Sequence, residues 1–319
     1  MSKYNVRPIE LNGLKTIPIE RRGGKVTVDH FARPHVKGEA FLSYLDSLPR
    51  LLAADSFRSV AEAILHARAE RKPIIWGFGG HVIKCGLAPI LIDLMKRGFV
   101  TAFATNGSGA IHDFEIAIAG QTSEDVEAVL PDGTFGSAEE TGNEMNTAIS
   151  EGNRYLLGMG ESLGRRLDLI AKTEFASKSL LTEAYRAGVP VTVHVAIGTD
   201  TPHTHPKAEP AAIGSTTHRD FRLFCSLVKE MDQGGVYINV GSAVILPEVF
   251  LKAVSLVRNL GNPLAQFTTV NCDFLQHYRP KANVVDRPHM GAGGKGYSLT
   301  GHHEIMIPLL AATLIECES

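Results

Sequence analysis

The sequence has few cysteines, almost no net charge and no long apolar run, and each shortage excludes a class of protein. Its four cysteines are far apart and form no C-x-x-C pair, which argues against a disulfide scaffold and a cysteine-rich zinc site. A formal net charge of −2 over 319 residues provides no long-range attraction for nucleic acid. No apolar run could span a bilayer, and the N-terminus lacks the apolar core of a signal peptide. We therefore expect a cytoplasmic globular protein with buried free thiols that binds neither nucleic acid nor membranes.

The stretch from Pro73 to Gly120 contains two strand–glycine–helix units in direct succession. An apolar run meets the turn Gly77–Gly80 in the first unit, and a helical pattern then continues to Gly98; the second unit turns at Gly107–Gly109. Neither turn has G-x-G-x-x-G spacing, and every α/β domain needs some glycine here. Glycine also allows a ligand to approach the backbone, and the following helix offers free N–H groups. We predict that these turns bind a nucleotide through Gly77, Gly79, Gly80, Thr105, Asn106 and Gly107.

Strand-like runs alternate with helical patterns from Phe57 to the end of the chain. This alternation predicts an α/β fold with a doubly wound, mostly parallel, Rossmann-like sheet. We expect a single domain over 37–319, because no linker divides it. Residues 1–36 lack the alternation of strand and helix patterns, so we expect them to form an arm that packs on this subunit or a neighbour. Beyond the two glycine units, the expected strands are 189–197, 236–240 and 267–272, and the expected helices are 154–172, 177–187, 218–231, 247–260 and 305–315.

Two connections, 198–217 and 275–304, are long enough to be functional or disordered. The first contains His203 and His205, and an H-x-H pair can bind one metal ion when a third side chain joins it. Asp200, His218 or His302 could be that third ligand; the alternative is a pair of solvent-facing histidines. The second connection has a glycine-rich run at 291–296, which could bind an anion or form a surface flap.

The helix after the second glycine turn begins with His112-Asp113-Phe114-Glu115. On a helix, His112 and Glu115 share one face and Asp113 does not. An imidazole and a carboxylate beside a ligand-binding turn can act as acid and base. An acidic residue near a helix start is also ordinary dipole chemistry.

Several segments resemble deoxyhypusine synthase in the same order along the chain. The first NAD-phosphate loop of that family, G-[YF]-x-x-x-h-I-x-x-G, is similar to the segment from Gly77 to Gly86, and its T-x-G-G-h-x-x-D turn is similar to the segment from Thr105 to Asp113. Its h-P-V-x-x-x-A-h-T-D strand is similar to 189–200, and its closing F-P-L-L helix to 307–310. The resemblance implies NAD as cofactor, a doubly wound fold, and a homotetramer with sites at subunit interfaces. It also implies cofactor contacts at Asp200, Gly241 and Ser242.

The substrate-side residues of that family are replaced. Its Lys-His-His run, which holds a catalytic base, corresponds to the segment that begins at Leu246. A count back from Pro308 without gaps puts His289 at the catalytic lysine, and a histidine cannot form the required imine. His302 stands in place of the family's aspartate before the last helix. Deoxyhypusine synthesis is therefore not expected.

The segment from Asn106 to Glu115 also resembles archaeal-type ornithine cyclodeaminases, which share this fold. We therefore expect an NAD-dependent transferase- or lyase-type enzyme that transiently oxidises a small amine or amino acid. His112, Glu115 and His289 are its expected proton carriers, and Asp200 orients the cofactor or a substrate ammonium. The alternatives are a metal-dependent hydrolase that uses His203 and His205, and a non-catalytic NAD sensor.

Overall fold

The computed structural model describes residues 2–318, and a six-stranded parallel sheet forms its centre. The strands lie in the order β3-β2-β1-β4-β5-β6, and every neighbouring pair is parallel. This order confirms the predicted doubly wound, Rossmann-like α/β fold. The strands are β1 Ile74–Phe78, β2 Ala102–Asn106, β3 Val191–His194, β4 Val236–Val240, β5 Thr268–Asp273 and β6 Lys295–Thr300.

The helices cover both faces of the sheet, as the buried apolar strands require. The longer ones are α1 Phe41–Ser47, α2 Leu52–Ala69, α3 Gly80–Lys84, α4 Ala88–Lys96, α5 Gly107–Ala119, α6 Glu139–Arg154, α7 Met159–Ile170, α8 Leu180–Ala187, α9 Pro210–Lys229, α10 Ile245–Asn259 and α11 His303–Glu316. On one face, Phe224 of α9 and Phe250 of α10 pack against Tyr237 of β4, whose ring stacks on Phe250 at 4.0 Å. None of the helices in residues 2–318 combines the length and apolar character needed to cross a bilayer.

Three predicted helices have different boundaries. The helix expected to continue to Gly98 is two helices, α3 and α4, because Gly86 turns the chain between them with φ +75°. The pattern predicted as 154–172 combines the end of α6 with α7, which are separated by Leu156 at φ 59°. The helix predicted as 218–231 begins earlier, at Pro210, so the connection from 198 is shorter than expected.

The connection predicted over 275–304 is also partly regular. It contains short helical turns over 278–289 and the edge strand β6, which pairs with β5 along its whole length. Its glycine-rich run therefore leads into a strand and does not form a free flap. The sequence Lys-Gly-Tyr-Ser-Leu-Thr has no continuous apolar run, because an edge strand is only partly buried.

Most of the N-terminal arm is exposed, and only its end contacts the domain. Residues 2–36 form only two short helical turns, Ile19–Arg22 and Val28–His30. Apolar side chains along them remain 56–87% exposed, and the most exposed is Ile9. Backbone hydrogen bonds from Arg33 to Ser47 and from Arg50 to His30 attach only the end of the arm to the domain.

Candidate functional site

The strand order reverses between the paired strands β1 and β4, and glycines follow the carboxyl ends of both strands. Gly79 follows β1 and donates its N–H to Val240 O at 3.1 Å. A Cβ atom on Gly79 would lie 2.5 Å from Gly241 O, so the two backbones touch. A crevice at such a switch point is where ligands of doubly wound sheets bind. Here the two turns present backbone atoms and no side chains at Gly79 and Gly241, which is the kind of surface that a phosphate can approach closely.

The two predicted turns meet across this crevice. Gly80 begins α3, and a Cβ atom on it would collide with Ser108 Oγ at the start of α5 and lie 3.0 Å from the His112 ring. Asn106 caps α5 by accepting a hydrogen bond from Gly109 N at 2.9 Å. Thr105 joins β2 to β1 through a 3.0 Å bond from its hydroxyl to Phe78 O. Two helix starts therefore converge on one point.

Asp200 reaches this point from the segment after β3. Its carboxylate occupies the space where a side chain at position 107 would lie. Burial raises the pKa of this carboxyl, while His203 and Thr199 act in the opposite direction. Within residues 2–318, Asp200 Oδ2 is buried and has no hydrogen-bond partner. A buried acceptor without a partner at a helix start is suited to a ligand hydroxyl or ammonium group.

A ladder of buried amides holds the carboxyl ends of the next strands. Asn239 Nδ2 donates to Ser242 O at 3.0 Å and to Asn271 Oδ1 at 2.7 Å. Asn271 in turn donates to Gln276 Oε1 at 2.8 Å. Ser242 Oγ, which is also a predicted cofactor contact, accepts the N–H of Leu246 in the first turn of α10 at 3.2 Å. The ladder ties the turn at Gly241 and Ser242 to β4 and β5.

His303 is a residue of this crevice that the sequence did not reveal. It is fully buried, and a Cβ atom on Gly241 would lie 2.8 Å from its ring. Neither ring nitrogen has a hydrogen-bond partner among the described residues, and Asp273 Oδ1 is 3.6 Å from Nε2. Burial lowers the pKa of His303, although Asp273 opposes that effect. The adjacent His302, which occupies the family's aspartate position, is solvent-exposed instead.

His112 and Glu115 lie together, as their spacing predicts, and Thr122 connects them. His112 Nδ1 is 2.8 Å from Thr122 Oγ1, and the Thr122 hydroxyl donates to Glu115 Oε2. Glu115 also accepts a 3.1 Å bond from Thr141. Burial and the nearby Lys84 lower the pKa of His112 to about 4. The imidazole is therefore neutral near pH 7.

A cavity of about 1050 Å³ opens beside this group. Glu115 and Thr122 of the acid–base chain line it, and the His112 ring at the other end of that chain approaches Gly80. Its charged lining is mostly acidic and consists of Glu115, Glu124, Glu140, Glu144 and Lys172. Such a lining favours a cationic ligand.

His289 does not lie with the other predicted site residues. Its Nε2 is 2.7 Å from Thr269 Oγ1, near the amino end of β5, and its ring packs against Phe267. The glycine turns lie at the opposite, carboxyl edge, about 13 Å along the strand. The gapless count from Pro308 therefore selected a residue at the edge of the sheet opposite the glycine turns, with β6 between His289 and the last helix.

Two other predicted positions also have different surroundings. Gly77 lies inside β1, and a Cβ atom on it would collide with the hydroxyl of Tyr237, so its cofactor contact stays a prediction. His203 accepts a 3.3 Å bond from Gly198 N, whereas His205 lies beside Gly142. Within residues 2–318, no third ligand-type side chain completes a metal site with both histidines.

Comparison with known proteins supports the fold. No protein-family model and no curated protein matches the chain. A protein from Entamoeba histolytica, provisionally assigned as a deoxyhypusine synthase, superposes with a TM-score of 0.54 and 13% identity over 90% of this chain and 97% of its own. A conserved LOR/SDH protein from Methanococcus maripaludis S2 has a TM-score of 0.53 and 15% identity over 84% of this chain and 71% of its own.

AgrE, solved as a ternary complex with ornithine and NAD+, has a TM-score of 0.50 and 15% identity over 82% of this chain. The chain spans about a third of the length of AgrE, with 32% of it covered. The similarity to these three proteins is one of fold. It confirms the predicted deoxyhypusine synthase-like fold.

Proposed function

We propose that the protein is an NAD-dependent enzyme that acts on a small cationic amine or amino acid. The observation that carries this proposal is the meeting of the glycine turns with the buried Asp200 carboxylate, whose Oδ2 has no hydrogen-bond partner within residues 2–318. The glycines at positions 79 and 107 let backbone atoms pack directly against Gly241 and the Asp200 carboxylate, and two helix starts meet at this point. A dinucleotide with a pyrophosphate and ribose hydroxyls matches these features. The NAD+ in the AgrE complex supports the same cofactor.

The acidic cavity supports the substrate class. Several glutamates line it with a single lysine, and two of them are partly neutralised: Glu144 by an ion pair with Arg166, and Glu124 by a bond from Gly136 N. The hydroxyls of Thr122 and Thr141 hold the Glu115 carboxylate in a fixed position beside the cavity, where it would attract a substrate ammonium. The ornithine bound to AgrE and the arginine dihydrolase activity named for ArgZ, a cyanobacterial protein of this fold, are consistent with such a substrate.

The hydrogen-bond chain determines which nitrogen of His112 can accept a proton. The Thr122 hydroxyl donates to Glu115, so its oxygen accepts the Nδ1–H of His112. This arrangement leaves Nε2 with a free lone pair. Bound NAD would supply a hydride acceptor, and His112 Nε2 would remove a proton from the substrate ammonium. Asp200 would orient a ribose hydroxyl of the cofactor.

Equilibrium binding of NAD by calorimetry tests the proposal. We expect Asp200→Ala to weaken NAD binding by at least about tenfold, equal to roughly 1.4 kcal/mol, while Asp168→Ala on the surface leaves it unchanged. His112→Ala should retain NAD and lose turnover on the order of a hundredfold with the amine that the wild type oxidises. Absence of NAD binding by the folded wild type would refute the proposal. Binding without turnover of any amine or amino acid would favour the NAD sensor.

We also propose that the exposed arm packs on a neighbouring copy, consistent with the predicted homotetramer. Its apolar side chains have no cover on their own subunit, and contiguous exposed apolar surface marks an interaction site. Light scattering after size-exclusion chromatography should show a tetramer for the full chain and a smaller species after removal of 2–36. An unchanged mass would show that the arm is not needed for assembly.

A further inference from the structure

A second group of side chains lies outside the acid–base chain and the glycine cradle. His81 and Cys85 come from α3 and its end, and Glu304 comes from the first turn of α11. One ligand-type atom from each lies within 4.8 Å of the other two. Across residues 2–318, this is the one set of three histidine, cysteine or acidic side chains with that proximity.

We propose that His81, Cys85 and Glu304 form a zinc site. The separation of the donor atoms carries the proposal. Cys85 Sγ lies 3.3 Å from His81 Nε2 and 3.9 Å from Glu304 Oε2. Bonds of about 2.0–2.3 Å in a tetrahedron place neighbouring donors about 3.3–3.8 Å apart. Small rotations of the side chains would therefore bring all three atoms onto one ion.

The local fold explains this arrangement. His81 and Cys85 are four residues apart, so one helical turn places them on the same face. The His81 ring packs edge-on against Phe274 and against the buried His303, which limits its rotation. Glu304 enters from α11, so the group joins a segment near the glycine crevice to the last helix. Such a site would connect two elements that are distant in sequence.

The donor types indicate which metal would bind. A thiolate, an imidazole and a carboxylate suit zinc better than calcium or magnesium, which take oxygen ligands. His81 and Glu304 are exposed and Cys85 is half-buried, so an ion can enter and the fourth position is open to water. Catalytic zinc sites commonly have three protein ligands and one exchangeable position, whereas structural zinc sites have four protein ligands.

Cobalt substitution tests this inference with a readout independent of NAD and turnover. The metal-free protein is titrated anaerobically with Co²⁺, and we expect tetrahedral visible bands and a thiolate-to-cobalt charge-transfer band to saturate near one equivalent. Zn²⁺ should displace the cobalt. Cys85→Ser should abolish the charge-transfer band, whereas Cys317→Ser, which removes the exposed thiol near the C-terminus, should leave it unchanged.

His81→Ala and Glu304→Gln should each weaken cobalt binding by at least about a hundredfold, since loss of an outer partner alone costs roughly 10–100-fold. Circular dichroism checks that each variant is folded. Either of two results would overturn the inference: no tetrahedral spectrum with the wild type, or an unchanged spectrum in folded Cys85→Ser. In those cases the 3.3 Å contact is an ordinary hydrogen bond within one helical turn. NAD binding is measured separately, so failure of either proposal leaves the other standing.

Discussion

Replacing Gly79 with alanine tests the crevice where β1 meets β4. The backbone there has φ −94° and ψ 172°, an extended conformation that alanine adopts without strain. Any effect of Gly79→Ala therefore comes from the added methyl group and not from the backbone. That methyl group would lie 2.5 Å from Gly241 O and 3.2 Å from Gly241 C. Both contacts are to backbone atoms, which cannot rotate away as a side chain would.

The size of the effect follows from that contact. Real Cβ atoms essentially never come closer than 3.0 Å to such an atom, so the two turns must separate by about half an ångström or more. Forced overpacking of this kind costs about 1–3 kcal/mol in the free energy of unfolding. A domain stabilised by about 5–15 kcal/mol stays folded. We also expect NAD binding to weaken at least about tenfold, because separating the two turns displaces the backbone N–H groups that would hold the cofactor phosphate.

Urea unfolding followed by circular dichroism measures the first effect, and calorimetry measures the second. Gly214→Ala is the matched control, because Gly214 lies within α9 and a Cβ atom there meets nothing within 4 Å. Removing a helical glycine should stabilise the protein by about 0.5–1 kcal/mol and leave NAD binding unchanged. Equal stability of Gly79→Ala and the wild type would refute the backbone contact. A destabilised Gly79→Ala with normal NAD affinity would place the cofactor elsewhere.

Two further predictions concern buried titratable groups on α5. The pKa of His112 is about 4 in the folded protein and near 6.5 in the unfolded chain. The stability that the neutral, buried ring contributes is therefore fully present above about pH 6.5 and is lost as the pH falls toward 4. Proton NMR of the ring measures the midpoint of its titration, and a midpoint near 6.5 would contradict its burial. Asp113 accepts hydrogen bonds from Ser179 Oγ, Leu180 N and Leu181 N at 2.7–2.8 Å. Asp113→Ala leaves these buried donors unpaired and should lower the free energy of unfolding, measured with urea, by about 3–5 kcal/mol. The control variant Asp168→Ala, at an exposed ion pair, should lower it by less than about 1 kcal/mol. Similar losses in both variants would show that the buried carboxylate is not needed.

Much of the central sheet is encoded by local sequence. The strands β1, β2 and β4 are short buried runs that end at polar or glycine turns, and buried parallel strands need such continuous apolar segments. The side chains of His112 and Glu115 also follow from local spacing, because one helical turn brings them to the same face. For these features the relevant residues are neighbours in the chain. Their prediction needed no knowledge of the tertiary fold.

Other features depend on contacts between distant residues, and only the tertiary structure determined them. β6 has no apolar run of its own and becomes a strand because β5 offers a pairing edge. A gapless count along the sequence does not show at which edge of the sheet a residue lies. It therefore selected His289, whose ring lies beside Thr269 near the amino end of β5. The contacts of Asp200 with Gly107 and of His303 with Gly241 join segments that are 60 or more residues apart. Sequence patterns report periodicity within an element, whereas the juxtaposition of loops is set by sheet order and by packing.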